Sequence, residues 1–197
     1  MSFPIPKIEW KNLSTTGTTD SGNGEITGIP DTSEIEVGMF VKGTGIPAGA
    51  VVGSKTASTI TLASSVLATA DGTGIALTFG FALEFDFPPK EPTGEALETN
   101  AVVSASLSGI RQVSVNHIEA IRKPVFSFLS PTIFSTLNTF LTTHALNGEA
   151  FRYFEDKTLT DYVEYELDSF KIAPKKIAPR SATTYVWEVP LSFRRVV

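Results

Sequence analysis

The chain has 197 residues, a formal net charge of −5 and no cysteine. The missing thiols exclude disulfide bridges, thiol nucleophiles and the usual zinc sites, and the negative charge argues against nucleic acid as the main partner. No apolar run approaches the ~20 residues of a membrane-spanning helix, and the first residues lack the pattern of a signal peptide, so no membrane partner is expected.

Segment 13–79 differs in composition from the rest of the chain. It is rich in Gly, Thr, Ser and Ala, and it has no Trp, Tyr or Arg. It contains two lysines and six carboxylates. Short β-type runs recur in it between Gly and Pro breaks, at 24–27, 39–42, 51–52, 59–62 and 75–79. The segment is therefore predicted to be a small all-β module, inserted between residues 1–12 and 80–197 of a second domain.

The glycines of 43–49 invite a phosphate-loop interpretation, but the Lys-Ser/Thr ending is missing and a strand, not a helix, follows. Tight turns are the better prediction there. Residues 85–94, with Pro88, Pro89 and Pro92, are predicted to be a loop, since proline cannot donate to a sheet ladder. Strands are expected at 102–107, 110–115 and 125–129, with a turn or bulge at Ser108-Gly109 and a polar turn at Asn116-His117.

One helix is predicted at about 131–147. Ser130 is suited to cap its first N–H groups, Pro131 fits the first helical position, and Gly148 can adopt the left-handed conformation that often ends a helix. The apolar residues form one stripe, which predicts a helix lying on a sheet: Ile133, Phe134, Leu137, Phe140 and Leu141. The predicted fold class is mainly β, an antiparallel β-sandwich with one packed α-helix plus the inserted β module.

Residues after the helix alternate with period two. Val163, Tyr165 and Leu167 fall on one side of a predicted strand, and the other side is polar: Tyr162, Glu164, Glu166 and Asp168. A basic loop or irregular edge follows at 171–180, and a closing strand interrupted at Pro190 carries Arg194 and Arg195. In a symmetric ring such acidic and basic surfaces can meet head to tail, so these six residues are the predicted subunit interface.

No recognisable catalytic set accompanies this layout. His144 falls on the last helical turn, where an imidazole commonly meets terminal carbonyls, and no G-x-S-x-G motif is present. Glu155, Asp156 and the acids of 162–168 could serve glycoside hydrolysis, but alternating acids on a strand more often form a solvated or interfacial face. The chain is therefore predicted not to be an enzyme and to have no catalytic, cofactor-binding or metal-binding residues. A glycosidase is the third hypothesis, after the two given below.

The segment Leu137-Asn138-Thr139-Phe140-Leu141-Thr142-Thr143-His144, followed by Gly148 and the aromatic run Phe151-Arg152-Tyr153, resembles the distal tail and minor tail proteins of long-tailed bacteriophages. The strands at 109–113 and 125–128 and the terminal strand ending in Ser192-Phe193-Arg194-Arg195-Val196 sit where that family has its own. Segment 13–79 departs from the compact tail proteins, which lack it.

The resemblance implies a virion protein, made in the host cytoplasm, that forms a ring, commonly a hexamer, at the tail tip or baseplate. Its partners would be further copies of itself, the tail tube protein and tip, hub or fibre proteins, and it confers no catalytic residues. The alternative is a carbohydrate- or host-surface-binding β-sandwich module, which would present Trp or Tyr on an exposed platform. Trp10 and Trp187 lie instead in strand-like runs.

Overall fold

The computed structural model describes residues 4–63, 66–90, 96–105, 111–169, 171–179 and 185–196. The chain is mainly β, with 47% strand. Within the described ranges a single helix packs on antiparallel sheets, so the predicted fold class is confirmed. The predicted turn or bulge at Ser108-Gly109 and the basic residue Arg180 lie outside the described residues.

The strands of the first part of the chain are β1 (Lys7–Thr19), β2 (Glu25–Thr27), β3 (Phe40–Gly43), β4 (Val52–Lys55), β5 (Ile60–Leu62) and β6 (Gly72–Glu84). Those of the second part are β7 (Ala96–Ala105), β8 (Arg111–Arg122), β9 (Val125–Leu129), β10 (Phe151–Phe154), β11 (Val163–Leu167), β12 (Lys175–Pro179), β13 (Tyr185–Pro190) and β14 (Phe193–Arg195). Helix α1 is Pro131–Thr143, and a 3₁₀ turn follows at Ala145–Asn147.

Two compact units make up the chain. The flank unit is Met1–Ile8 with Leu83–Val197, and the central unit is Glu9–Ala82. The sequence prediction placed the corresponding boundaries at 12/13 and 79/80, so the two divisions differ by a few residues at each end. Whether the central unit can be removed without unfolding the flank unit stays a prediction.

The central unit has its own apolar core. Its strands follow the order β4-β5-β2-β1, with β6 beside β1 and β3 beside β6. Alternating residues of the short strands are fully buried: Ile26, Val41, Val52, Ile60 and Phe79. Between β3 and β4 the backbone turns at Gly45, whose φ of 76° favours glycine, so the run 43–49 forms turns between two strands as predicted.

The flank unit contains two sheets and the helix. One sheet includes the order β10-β11-β14-β8-β7, and the other is β12-β13-β9. Helix α1 contacts aromatic residues of both: Phe140 lies edge-on to Phe151 of β10 at 5.1 Å, and Phe134 stacks on Trp187 of β13 at 4.2 Å. Phe193 of β14 lies 4.9 Å from the Phe151 ring, so the helix and both sheets share one aromatic core.

The start of the helix is as predicted and its end is not. The Ser130 hydroxyl accepts a hydrogen bond from the Ile133 N–H at 3.3 Å, and Pro131 opens the first turn. The α-helix ends at Thr143, four residues before the predicted end, because His144 adopts φ −131° and ψ −69° and the chain tightens into the 3₁₀ turn. Gly148 (φ 78°) then reverses the chain in the left-handed conformation.

Two further predictions are wrong. Asn116-His117 does not form a turn: β8 runs through both residues, and the register with β7 shifts between Asn100 and Ala101, which leaves Asn116 as an extra residue, a β-bulge. The closing segment is not one interrupted strand. Pro190 is the last residue of β13 in one sheet, and Phe193 begins β14 in the other, because proline cannot continue the ladder.

Candidate assembly surface

The predicted acidic face exists on β11. Tyr165 and Leu167 are buried, whereas Glu164 is exposed and Glu166 half-buried, as the alternation predicts. Tyr162 and Asp168 lie just outside the strand, at either end of it. Arg152 and Arg194 reach this face from the neighbouring strands, so its acids form ion pairs within one chain.

Strand β14 is the direct neighbour of β11, and Glu166 is registered opposite Arg194. Arg194 Nη2 lies 3.4 Å from Glu166 Oε2, and its Nη1 lies 3.8 Å from Glu119 Oε1. Arg152 Nε of β10 lies 3.5 Å from Glu164 Oε1. The predicted meeting of acidic and basic faces therefore occurs inside the subunit, which the sequence reasoning missed because strand neighbours cannot be read from alternation. Whether these residues also contact a second subunit stays a prediction.

The other predicted interface residues also have local partners. The Arg152 guanidinium lies over the Tyr162 ring at 4.4 Å, although that ring is still exposed. Asp168 accepts a hydrogen bond from the Ser192 hydroxyl at 2.8 Å, which joins the end of β11 to the start of β14. Arg195 is registered opposite Tyr165.

Candidate catalytic groups are held by structural contacts. His144 is buried, with Nε2 2.8 Å from the Ala150 carbonyl oxygen and Nδ1 2.7 Å from Glu149 Oε2. It thus ties the helix end to the start of β10 and does not meet the helix carbonyls that the sequence suggested. Asp156 accepts bonds from the backbone N–H and the hydroxyl of Thr158, and these bonds lower the pKa of its carboxyl. Among the described residues no cluster of three or more His, Asp or Glu side chains is placed to hold a metal ion.

Glu155, the other acid of that pair, binds Arg122. Both guanidinium Nη atoms contact its carboxylate, Nη2 at 2.8 Å, and the guanidinium lies 4.5 Å from the centroid of the Tyr153 ring. Burial disfavours the cation, but the hydrogen bond to Glu155 and the neighbouring groups hold the pKa of Arg122 above its ordinary value. Burial also raises the pKa of Tyr153. Arg122 and Tyr153 are thus the buried part of a structural cluster whose acid, Glu155, reaches solvent.

Strands β7 and β8 form a long two-stranded ribbon, here called the ribbon. All ten residues of β7, Ala96 to Ala105, are paired with β8. On its other side β8 pairs with β14, and the described pairing involves only Ile121 and Arg122 of β8. In the described residues the ribbon beyond Ile121 therefore has no third strand. At ~3.3 Å per residue it is about 33 Å long.

The described side chains of β7 lie at one end of the ribbon. Ala96, Leu97 and Glu98 are exposed there, Leu97 by 73%.

A second apolar surface lies on the flank unit, here called the Phe groove. It has a volume of about 620 Å³ and is lined by Asp86, Phe87, Phe128, Ser130 and Val186. Phe87 and Phe128 are 53% and 51% exposed, and their rings meet edge to face at 6.2 Å. Phe85 lies two residues before Phe87, and Phe126 lies two residues before Phe128. Their rings stack at 4.1 Å in the core, so the same two segments form one aromatic pair in the core and one at the surface.

Phe128 has a backbone conformation that is unusual for its residue type. Its φ is 60°, in the left-handed region, and it lies where the register between β9 and β13 shifts, between the pairs Trp187–Leu129 and Val189–Phe126. That irregularity is a β-bulge, and it directs an exposed aromatic ring into the groove. It could not be predicted from the sequence, because non-glycine residues with positive φ have no pattern of their own.

A charged pair borders the Phe groove. Lys90 Nζ lies 5.6 Å from the Phe128 ring centroid and 2.8 Å from Glu188 Oε2, and Ser127 donates to the same oxygen at 2.9 Å. The bonds from Lys90 and Ser127 lower the pKa of Glu188. This side of the groove is thus fixed by a satisfied polar network.

Trp187, the candidate sugar platform, is not free to serve as one. One ring face stacks on Phe134, and Lys176 Nζ lies 5.3 Å from the ring centroid. The indole is only partly exposed.

Comparison of the chain with protein-family models, with curated proteins and with solved structures finds no match. Within the described ranges no helix has the length and apolar character needed to cross a membrane.

Proposed function

We propose that this chain is a structural ring subunit at the distal end of a phage tail tube, joining the tube to tip, hub or fibre proteins. The observation that supports it is the ribbon: a long pair of strands for which the described residues provide no third strand. A protein that acts alone has no evident need for such an element.

An isolated two-stranded ribbon is marginally stable in water, and a third strand or a packed apolar face is needed to hold it. An exposed apolar side chain such as Leu97 forgoes about 25 cal/mol for each Å² that stays in water. Assembly supplies the missing cover, and in a ring the same contact repeats at every subunit.

The tail assignment, as distinct from assembly in general, is supported by the resemblance of Leu137–His144 and Gly148–Tyr153 to distal tail proteins. The helix on an antiparallel β fold agrees with what that resemblance implies. The partners proposed are therefore copies of the same chain and proteins of the tail tube and tip.

Mass photometry at micromolar concentration, followed by negative-stain electron microscopy, tests the proposal. The wild-type chain should form a closed ring, alone or with its tube protein. Leu97→Lys should weaken that ring, because it places a charge at an exposed apolar position of the ribbon. Leu159→Lys is the matched control, since Leu159 is also exposed but lies in the turn after β10. A stable monomer that binds no tail component would contradict the proposal.

A carbohydrate-binding function has no specific observation in its favour. Its expected platform, Trp187, is covered by Phe134. Of the exposed rings, Phe87 and Phe128 meet edge to face, and Tyr162 and Tyr185 each have a cationic side chain over one face. It remains the alternative hypothesis from the sequence.

A further inference from the structure

We infer that Asn23, in the turn between β1 and β2 of the central unit, is a site of spontaneous covalent modification, at which the asparagine converts to aspartate or isoaspartate. The conversion is a property of the single folded chain and does not depend on its assembly. Two identical tripeptides, held in different conformations, indicate which asparagine reacts.

The tripeptide Asn-Gly-Glu occurs twice in the sequence, at 23–25 and at 147–149. Glycine after asparagine leaves the backbone nitrogen open to approach, because glycine has no Cβ to block it. Asn23 and Asn147 are both exposed to solvent. Neither the local sequence nor access to water therefore separates the two sites, and a difference in their reactivity must come from the fold.

The reaction is an attack of the chain on its own side chain. The glycine nitrogen loses its proton and forms a bond to the asparagine Cγ, the Cγ–Nδ2 bond breaks, and ammonia leaves with that proton. Water then adds to either carbonyl carbon of the resulting five-membered ring and opens it to aspartate or isoaspartate. The attacking nitrogen and the departing amide must first be released from any hydrogen bond that they make, which costs free energy.

At Asn147 both reacting groups are engaged. Its Nδ2 donates to the Thr143 carbonyl oxygen at 3.0 Å, and the Gly148 N–H donates to the Ala145 carbonyl oxygen at 3.1 Å. Gly148 is also held in the left-handed conformation that closes the 3₁₀ turn. Ring closure here must break two hydrogen bonds, so the fold protects Asn147.

At Asn23 the hydrogen bonds leave the reacting groups open. Its Oδ1 accepts from the Glu25 N–H at 3.1 Å, which folds the side chain over its own backbone and withdraws electron density from Cγ. Its carbonyl oxygen accepts from the Ala68 N–H at 2.8 Å. Within the described chain, neither Nδ2 of Asn23 nor the Gly24 N–H makes a hydrogen bond. The fold thus orients Asn23 for the reaction and ties up neither the nucleophile nor the leaving group.

The product changes the charge of this turn. The new carboxylate lies near Asp20, whose carbonyl oxygen accepts from the Asn23 N–H at 3.0 Å, and joins a turn to which Asp71 is already bound through the Ser21 N–H at 2.6 Å. Carboxylates held close together repel one another. Isoaspartate also lengthens the backbone just before β2, so both products should lower the stability of the central unit.

Peptide mapping by mass spectrometry of the full-length chain, incubated at mildly alkaline pH, tests the inference. Replacement of the amide by a carboxyl group raises the mass of the peptide that carries it. In the folded chain, conversion at Asn23 should be about tenfold or more faster than at Asn147, because two hydrogen bonds must break first at Asn147. In guanidinium chloride the two sites should convert at the same rate, because their tripeptides are identical.

Asn23→Gln is the matched variant, since its longer side chain must close a larger ring. It should abolish the fast conversion and leave that of Asn147 unchanged, whereas Asn147→Gln should leave the fast conversion in place. Circular dichroism of each variant is measured first, and the comparison of the two sites within the wild-type chain needs no variant.

Equal rates in the folded chain, or faster conversion at Asn147, would overturn the inference. A folded chain in which neither site converts, over the time in which the denatured chain converts both, would overturn it as well. Each of these results leaves the proposed ring untouched, because mass photometry tests that assembly separately.

Discussion

At the scale of single residues, the pair of Arg122 and Glu155 is asymmetric. The Arg122 side chain is 2% exposed, whereas that of Glu155 is 53% exposed. Removing the arginine returns the carboxylate to water, but removing the carboxylate leaves a cation inside the protein. The two halves of one ion pair should therefore respond very differently to mutation.

Glu155→Ala should lower the free energy of unfolding by about 2–3 kcal/mol, because it leaves a buried cation without its counter-ion. Arg122→Met should cost about 1 kcal/mol or less, since methionine fills much of the same space without a charge. Urea unfolding of both variants measures the difference. Equal losses would mean that the guanidinium reaches solvent when its partner is removed.

Local residue signals were readable from the sequence and long-range ones were not. The cap at Ser130, Pro131 and the left-handed Gly148 are set by neighbours a few residues away, so a short window predicts them. The early helix end at His144 depends on contacts with Glu149 and Ala150, reached only after the chain has turned. The partners of Arg122 and the φ of Phe128 required the fold itself.

Among the strands, β11 and β14 are direct neighbours, and this pairing limits how a charge-reversal experiment on their side chains can be interpreted. Glu166 and Arg194 lie opposite each other in one chain, so restoring opposite charges within one chain cannot reveal an intersubunit contact. The two substitutions must be placed on different chains to separate the two possibilities.

Glu166→Lys should lower stability by ~0.2–1 kcal/mol, because the pair is partly exposed, and Arg194→Glu in the same chain should restore part of it. If the pair also acts between subunits, a mixture of Glu166→Lys chains and Arg194→Glu chains should assemble better than either alone at low salt. Mass photometry of the mixture and of each component decides. No gain on mixing would restrict these residues to an intramolecular role.

Short β-type runs between Gly and Pro breaks predicted β2 to β5 and the middle of β6, and period-two alternation predicted the two sides of β11, because both signals are local. Neither signal predicted β1. They could not predict strand order either. The separation of β13 and β14 into different sheets, the bulge at Asn116 and the length of the ribbon all depend on pairing between distant segments.

At the scale of the whole molecule, the two units suggest that the central one can be removed. Within the central unit, Trp10 of β1 stacks on Phe81 of β6 at 5.5 Å, and a side-chain carbon on Gly80 would lie 3.0 Å from Asn12 Oδ1. The chain therefore leaves and returns at adjacent positions, which a short linker can join.

Replacing residues 13–79 by a short Gly/Ser linker should leave the flank unit folded, because its aromatic core lies in 83–197. Near-ultraviolet circular dichroism and a cooperative urea transition of the shortened chain check this. Phe140→Ala in the shortened chain should abolish the cooperative transition. That loss would show that the transition reports the unfolding of the aromatic core. Global unfolding on deletion would mean that the two units depend on each other.

The left-handed backbone at Phe128 also predicts how this sequence would change under selection for heat resistance alone. Glycine and asparagine adopt that conformation with little strain, so a library selected in this way should lose Phe128 early while retaining its buried neighbour Phe126. Such a population would gain thermal resistance while it lost the contacts of this ring with Phe87 and Lys90.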